Sequence, residues 1–343
     1  MPEIPDLAQP EGWLPLAFML VMALSMLAYV ILDGFDLGVG ILLPRGDDAE
    51  KDLMIASIGP FWDANETWLV LGIGILLVAF PVAHGVILTA LYLPISVMLL
   101  GLILRGVAFD FRVKAHAQHK DSWNLAFFAG SLLAATSQGY MLGRVVTGFE
   151  VTLSTTLFSL FIGLCLAAGY ALLSATWLII KTEGALQLKA VAQARVALVL
   201  TALGIGAVSI MTPALNERIF DKWFQLENLL MVWPIPVVTL AVLFICWRSL
   251  GRLPVRLADG NDYGDWVPFA CAAGLYLLAF QGLAYALFPW LVLDEITIWD
   301  AASAPESLLI IFVGAVVVLP VIIGYSVFAY RVFGGKAAKL EYY

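Results

Sequence analysis

Long apolar stretches separated by short polar ones run through the whole chain. Nine of them are long enough for a helix that crosses a bilayer, which needs about 20 residues. The predicted spans are approximately 14–43, 57–80, 84–109, 123–143, 153–180, 191–212, 228–249, 267–290 and 306–333. The connections leave no room for a soluble domain, so the pattern predicts that residues 1–343 form a single all-α integral membrane domain.

The composition agrees with a membrane protein. Hydrophobic residues make up 62% of the chain and charged residues 13%, whereas soluble domains are about 25% charged. Cys165, Cys246 and Cys271 lie in apolar runs without metal-site spacing, so we interpret them as packing residues. The glycine-rich segment 34–40 lies within a predicted span rather than after a strand, which argues against nucleotide binding. We also expect no nucleic-acid partner.

Lysine and arginine residues predict the orientation. With the N-terminus outside, segments on the inner side hold fifteen of the 18 basic residues. The outer connections hold only Arg144, Arg218 and Lys222. Because cytoplasmic loops are enriched in these residues, the bias predicts an outside N-terminus, a cytoplasmic C-terminus and an odd number of spans.

Two pairs of acidic residues lie at the predicted cytoplasmic ends of the first two spans. Asp33 and Asp36 are three residues apart, as are Asp63 and Glu66, so each pair shares a helix face. Acids inside a membrane usually mark functional sites, and carboxyls in apolar surroundings can exchange protons near neutral pH. The pattern predicts a proton intake path, with Asp63→Asn slowing turnover but not assembly. The alternative is structural, since acids are favoured in a first helical turn and can satisfy helix contacts.

The cytoplasmic end of the third span carries another set of charges. Asp110 lies between Arg105 and Arg112 in the sequence. We interpret these three residues mainly as an ion cluster at the membrane edge.

Histidines offer no intramembrane pair that could hold a haem. The chain contains only His84, His116 and His119. We place the first at the outer surface and the other two in an inner basic loop. The sequence therefore predicts that this chain binds no haem by itself.

Several motifs resemble subunit II of the cytochrome bd-type quinol oxidases. They include DGFDLG at 33–38, GPFWDANETW at 59–68 and LRGVAFDFR at 104–112. Further matching segments lie at 169–184, 296–303 and 319–325. The compact length is more similar to the cyanide-insensitive branch.

This resemblance implies two four-helix bundles plus one peripheral helix, in a bacterial cytoplasmic (inner) membrane. It also implies a heterodimer in which subunit I carries haem b and haem d, or a third haem b. The complex would oxidise ubiquinol or menaquinol and reduce O2 to water, electrogenically but without pumping. Small single-span accessory subunits, bound lipid and a structural quinone are further expectations.

The resemblance also implies roles for individual residues. Asp33, Asp36 and Asp63 match positions proposed to carry protons, and Trp68 matches a position on a proposed O2 route. Glu66 departs from the family pattern, because an amide is common there, and Ala64 often has glycine as its counterpart. Two other functions stay open at this stage: a proton-coupled secondary transporter that uses the same carboxylates, and an inert scaffold for a haem subunit.

Overall fold

The computed structural model describes residues 5–225 and 232–337. Within these ranges the chain forms eleven α-helices and one two-stranded antiparallel hairpin. The elements are α1 (Pro10–Leu42), α2 (Asp48–Ala56), α3 (Trp62–Ala79), α4 (Pro81–Lys114), α5 (Ala117–Val146), α6 (Leu153–Lys181), α7 (Gly184–Leu215), α8 (Glu217–Phe224), α9 (Pro234–Ala258), α10 (Val267–Leu287), β1 (Trp290–Val292), β2 (Ile296–Thr297) and α11 (Pro305–Val332).

Nine of these helices are long and apolar enough to cross a membrane, and only α2 and α8 are not. The prediction of an all-helical protein with nine spans is therefore confirmed for the described residues. The start of the seventh predicted span, at 228–231, lies outside them.

Two span boundaries in the structure differ from the predicted ones. The second span begins at Trp62 rather than 57, because Gly59 and Pro60 lie in turns that precede α3. The third span continues past 109 to Lys114, with Arg112 and Lys114 in its last turn, where cations are favoured. Asp110, like Arg105, is therefore a helical residue.

Helix α2 lies in a segment predicted to be a loop. It begins with a reciprocal cap, in which the Asp47 carboxylate accepts from the Glu50 amide and the Glu50 carboxylate accepts from the Asp47 amide, both at 2.9 Å. The motif satisfies two amide groups that a helix start leaves unpaired.

Helix α1 is the centre of the fold and packs against α3, α5 and α6, with further contacts to α10 and α11. Its approach to α6 depends on glycine: a methyl group on Gly38 would lie 2.0 Å from the carbonyl oxygen of Tyr170. Phe35 of α1 stacks on Trp177 of α6 with ring centroids 4.3 Å apart. The largest hydrophobic core surrounds this contact.

The connections between spans meet in two groups. In one group, Trp299 from the hairpin segment donates its indole N–H to the carbonyl of Gly12, near the start of α1, at 3.0 Å. In the other, Lys189 from the start of α7 forms an ion pair with Glu50 of α2 at 2.7 Å. These contacts join connections that the alternation of spans assigns to the same side.

Candidate functional site: a buried ion-pair cluster

Asp33 and Asp36 form the centre of a polar cluster inside the helical assembly. Both lie in the last third of α1, both have 0% solvent exposure, and they share one helix face. Charged side chains are almost never fully buried unless they are paired. The partners of these two aspartates therefore define the site.

Arg105 of α4 is the cationic partner. Its Nη1 lies 2.6 Å from Asp33 Oδ1, and its Nη2 donates to Glu66 of α3. Arg105 is only 1% exposed, and its guanidinium lies 5.9 Å from the ring centroid of Trp62. One guanidinium thus joins carboxylates from two other helices.

Asn65 of α3 connects the second aspartate to the C-terminal helix. Its Nδ2 donates to Asp36 Oδ2 at 2.8 Å and to the carbonyl of Leu32 at 3.3 Å. Its Oδ1 accepts from the Tyr330 hydroxyl at 2.9 Å. The cluster therefore draws on α1, α3, α4 and α11.

Three polar atoms of the cluster have no hydrogen-bond partner within the described chain. They are Asp33 Oδ2, Asp36 Oδ1 and Arg105 Nε. Three carboxyl groups also share a single cation. Because uncompensated buried charge is costly, such a group can hold and exchange protons.

A second chain of buried polar groups lies close to Asp33. The Tyr170 hydroxyl donates to Gln138 Oε1 at 2.6 Å, and Gln138 Nε2 donates to the Tyr29 hydroxyl at 2.7 Å. Tyr29 precedes Asp33 by one helical turn, so the two side chains share a face of α1. The four-residue spacing from Tyr29 to Asp33 was a readable signal that we missed. Nothing in the sequence indicates that Gln138 or Tyr170 would join them.

The three residues of the predicted ion cluster, Arg105, Asp110 and Arg112, do not form one cluster in the structure. Arg105 pairs with the buried acids, while Arg112 pairs with Asp52 at 2.8 Å and donates to Asn124. Asp110 is exposed and forms no ion pair in residues 5–225 and 232–337. Residues five apart on a helix are separated by about 140° around its axis, so Asp110 and Arg105 face different directions.

The remaining predicted residues occupy different environments. Glu66 belongs to the cluster, although its side chain is 28% exposed. Asp63 is exposed on the first turn of α3, outside the cluster. Trp68 is buried one turn beyond Asn65, and its indole N–H has no partner in the described chain.

The histidines are poorly placed to hold a haem together. His84 lies in the first turn of α4, whereas His116 and His119 follow the end of that helix. A 34-residue helix is about 50 Å long, so its whole length separates them. Among the described residues there is also no group of three or more potential metal ligands.

The nine spans and the buried charge cluster define a multi-pass helical membrane protein. Residues 14–333 match the model of the family "Cytochrome bd terminal oxidase subunit II". The chain belongs to this family, and the resemblance drawn from its motifs is confirmed.

The chain is similar to known relatives and to a solved structure over nearly its full length. The chain is 27% identical to cytochrome bd ubiquinol oxidase subunit 2 of Bacillus subtilis (strain 168), covering 94% of this chain and 96% of that one. It is 26% identical to cytochrome bd-I ubiquinol oxidase subunit 2 of Escherichia coli (strain K12), covering 93% and 94%. Its fold matches a chain in the structure of bd oxidase from Geobacillus thermodenitrificans with a TM-score of 0.72, 20% identity and coverage of 93% and 98%.

Proposed function

We propose that this chain is subunit II of a quinol oxidase that reduces O2 to water. Its partner is a subunit I that carries haem b and haem d, or a third haem b, and oxidises ubiquinol or menaquinol. Family membership supports the assignment. The separation of His84 from His116 and His119 supports placing all the haems in the partner.

The chain supplies a proton path from the cytoplasm toward the haems of subunit I. The observation that carries this proposal is the burial of Asp33, Asp36 and most of Glu66 around one cation, Arg105. Asp63 is exposed one turn before Glu66, where it can serve as an entry point. The protons that form water are then taken up from the cytoplasm while the protons of the quinol are released on the opposite side, which makes the proposed reaction electrogenic without pumping.

The proposed complex lies in the bacterial cytoplasmic membrane, with the N-terminus outside and the C-terminus in the cytoplasm. Arg105 belongs to the buried cluster rather than to a loop. Without it, fourteen basic residues lie on the predicted inner side and three on the predicted outer side, so the charge bias still supports this orientation. The arrangement as two four-helix bundles plus a peripheral helix is part of the same proposal. The small buried share of α11 supports its peripheral position.

An O2 route past Trp68, a structural quinone, accessory subunits and the cyanide-insensitive branch stay predictions. Burial of Trp68 on the α3 face that carries Asn65 is compatible with a hydrophobic route.

Purification of the tagged chain in mild detergent tests the assignment. We expect a haem-bearing partner to copurify, with haem bands in the reduced-minus-oxidised spectrum and quinol-dependent O2 uptake. A haem-free protein that transports a solute after reconstitution would instead support a proton-coupled transporter. Purification with haem but without quinol oxidation would also contradict the proposal.

A further inference from the structure

Asp33 and Asp36 are equally buried but differ in their partners. Asp33 has a guanidinium nitrogen 2.6 Å from its Oδ1. Asp36 has one hydrogen bond, from the neutral amide of Asn65, and its Oδ1 has no partner in the described chain. The two side chains are therefore suited to different protonation states.

No cation within the described chain is bonded to Asp36. Both terminal nitrogens of Arg105 are directed to Asp33 and Glu66. Asn65 has no further donor to offer, since its amide also bonds the Leu32 carbonyl and its oxygen accepts from Tyr330. A single neutral hydrogen bond does not compensate an ionised carboxylate in an apolar interior.

The second polar chain is positioned to stabilise negative charge on Asp33, whose Oδ2 has no hydrogen-bond partner in the described chain. Gln138 donates to the Tyr29 oxygen, so the hydroxyl proton of Tyr29 is not used in that bond. Tyr29 lies one turn before Asp33 on the same face of α1 and can direct this proton toward it. The Tyr170–Gln138 hydrogen bond fixes the orientation of the amide.

We propose that, at rest, Asp33 is the ionised counter-ion of Arg105 and Asp36 is the neutral carboxylic acid of the cluster. Asp36 is then the group that holds a proton at rest, and its unpartnered oxygen is where that proton is exchanged. Asn65 and Tyr29 are positioning residues that keep Asp36 neutral and Asp33 ionised. The use of Asp36 in turnover rests on the proposed function, whereas the protonation states do not.

Infrared difference spectroscopy of the purified complex tests this assignment. A neutral carboxylic acid has a C=O stretch that shifts to lower frequency in D2O and with 13C at the carboxyl carbon, whereas a carboxylate has separate bands. We expect wild type minus Asp36→Asn to contain a neutral-acid band, and wild type minus Asp33→Asn to contain carboxylate bands but no neutral-acid band. Asp110→Asn, at an exposed site on α4, provides the carboxylate control.

A second variant covers the case in which the asparagine variants do not assemble. In Asp36→Glu the neutral-acid band should persist but lose its shift on labelling with [13C]aspartate. A neutral-acid band that disappears in Asp33→Asn, or one that survives in Asp36→Asn, would overturn the assignment. In Asp36→Glu, a band that still shifts with the aspartate label would do the same.

O2 uptake by the same samples separates the two proposals. Loss of the band in Asp36→Asn with unchanged uptake would leave the protonation assignment standing and remove Asp36 from the proton path. The reverse result, slow uptake with the band intact, would overturn the assignment while leaving the proton path in place.

Discussion

Arg105 donates to carboxylates on two other helices, and its own side chain is almost entirely shielded from solvent. Removing one partner of a buried ion pair leaves an uncompensated charge, at a cost of about 3–5 kcal/mol. We therefore expect Arg105→Gln to reduce assembly of the complex severalfold and to lower its thermal midpoint. Recovery of protein and unfolding of the purified complex measure both effects.

Arg45 provides the control for the Arg105→Gln variant. It is exposed and forms no ion pair in the described part of the chain, so Arg45→Gln should leave yield and midpoint unchanged. If Arg105→Gln also behaves like wild type, the buried ion pairs do not hold α1, α3 and α4 together.

Single residues also explain why the site was only partly predictable. The acids were recognisable because a charge in an apolar run is conspicuous. The cation was assigned to the wrong partners, because Asp33 and Arg105 are 72 residues apart in the chain. Local spacing identifies neighbours on one helix, whereas contacts between helices depend on packing.

At the scale of elements, the α1–α6 contact depends on the absence of a side chain at Gly38. A methyl group there would overlap the Tyr170 carbonyl and the Ser174 side chain. Overpacking a tight contact typically costs about 1–3 kcal/mol. Gly38→Ala should therefore lower the thermal midpoint of the purified complex, with a smaller change in Gly206→Ala, where a methyl group meets nothing within 4 Å. Equal midpoints for the two variants would show that α1 and α6 can separate at little cost.

Lys181 joins two elements at their ends. Its ammonium donates to the carbonyls of Phe333 and Gly335 at 2.7 and 3.1 Å, and it lies 5.1 Å from the centroids of Phe61 and Trp177. Lysine often satisfies the unpaired carbonyls at a helix end. Lys181→Met should release the segment after α11 and increase its cleavage by added protease severalfold.

The control variant is Lys189→Met, which removes a partly exposed lysine that forms its ion pair with Glu50 in the described part of the chain. Its C-terminal cleavage rate should match wild type. An unchanged rate in Lys181→Met would mean that other contacts hold the end of α11.

At the scale of the whole molecule, hydrophobic runs were sufficient to predict nine spans, because the length of an apolar helix is set by the bilayer. The short helices α2 and α8 and the β-hairpin were missed. These short elements are stabilised by caps and by contacts with neighbouring connections. Neither feature is visible as an apolar run. The common cluster formed by α1, α3, α4 and α11 likewise emerges only from the packed assembly.

The orientation of the whole molecule gives a further prediction. Gly148 lies in the connection before α6, and Gly184 is the first residue of α7, just after the short connection that follows α6. With the N-terminus outside, alkaline phosphatase fused after Gly148 should be active and the same enzyme fused after Gly184 inactive, because this enzyme matures only outside the cytoplasm. The opposite pattern would invert the topology and place the acids at the wrong end for cytoplasmic proton intake.

Proton uptake during a single turnover tests whether Asp36 lies on the proton path. The wild-type complex and Asp36→Asn would be reconstituted in vesicles, reduced with quinol and mixed with O2, while a pH dye reports the cytoplasmic side. We predict that Asp36→Asn keeps its haem content but takes up protons at least tenfold more slowly, with Asp110→Asn matching wild type. Proton uptake at the wild-type rate in Asp36→Asn would contradict the account.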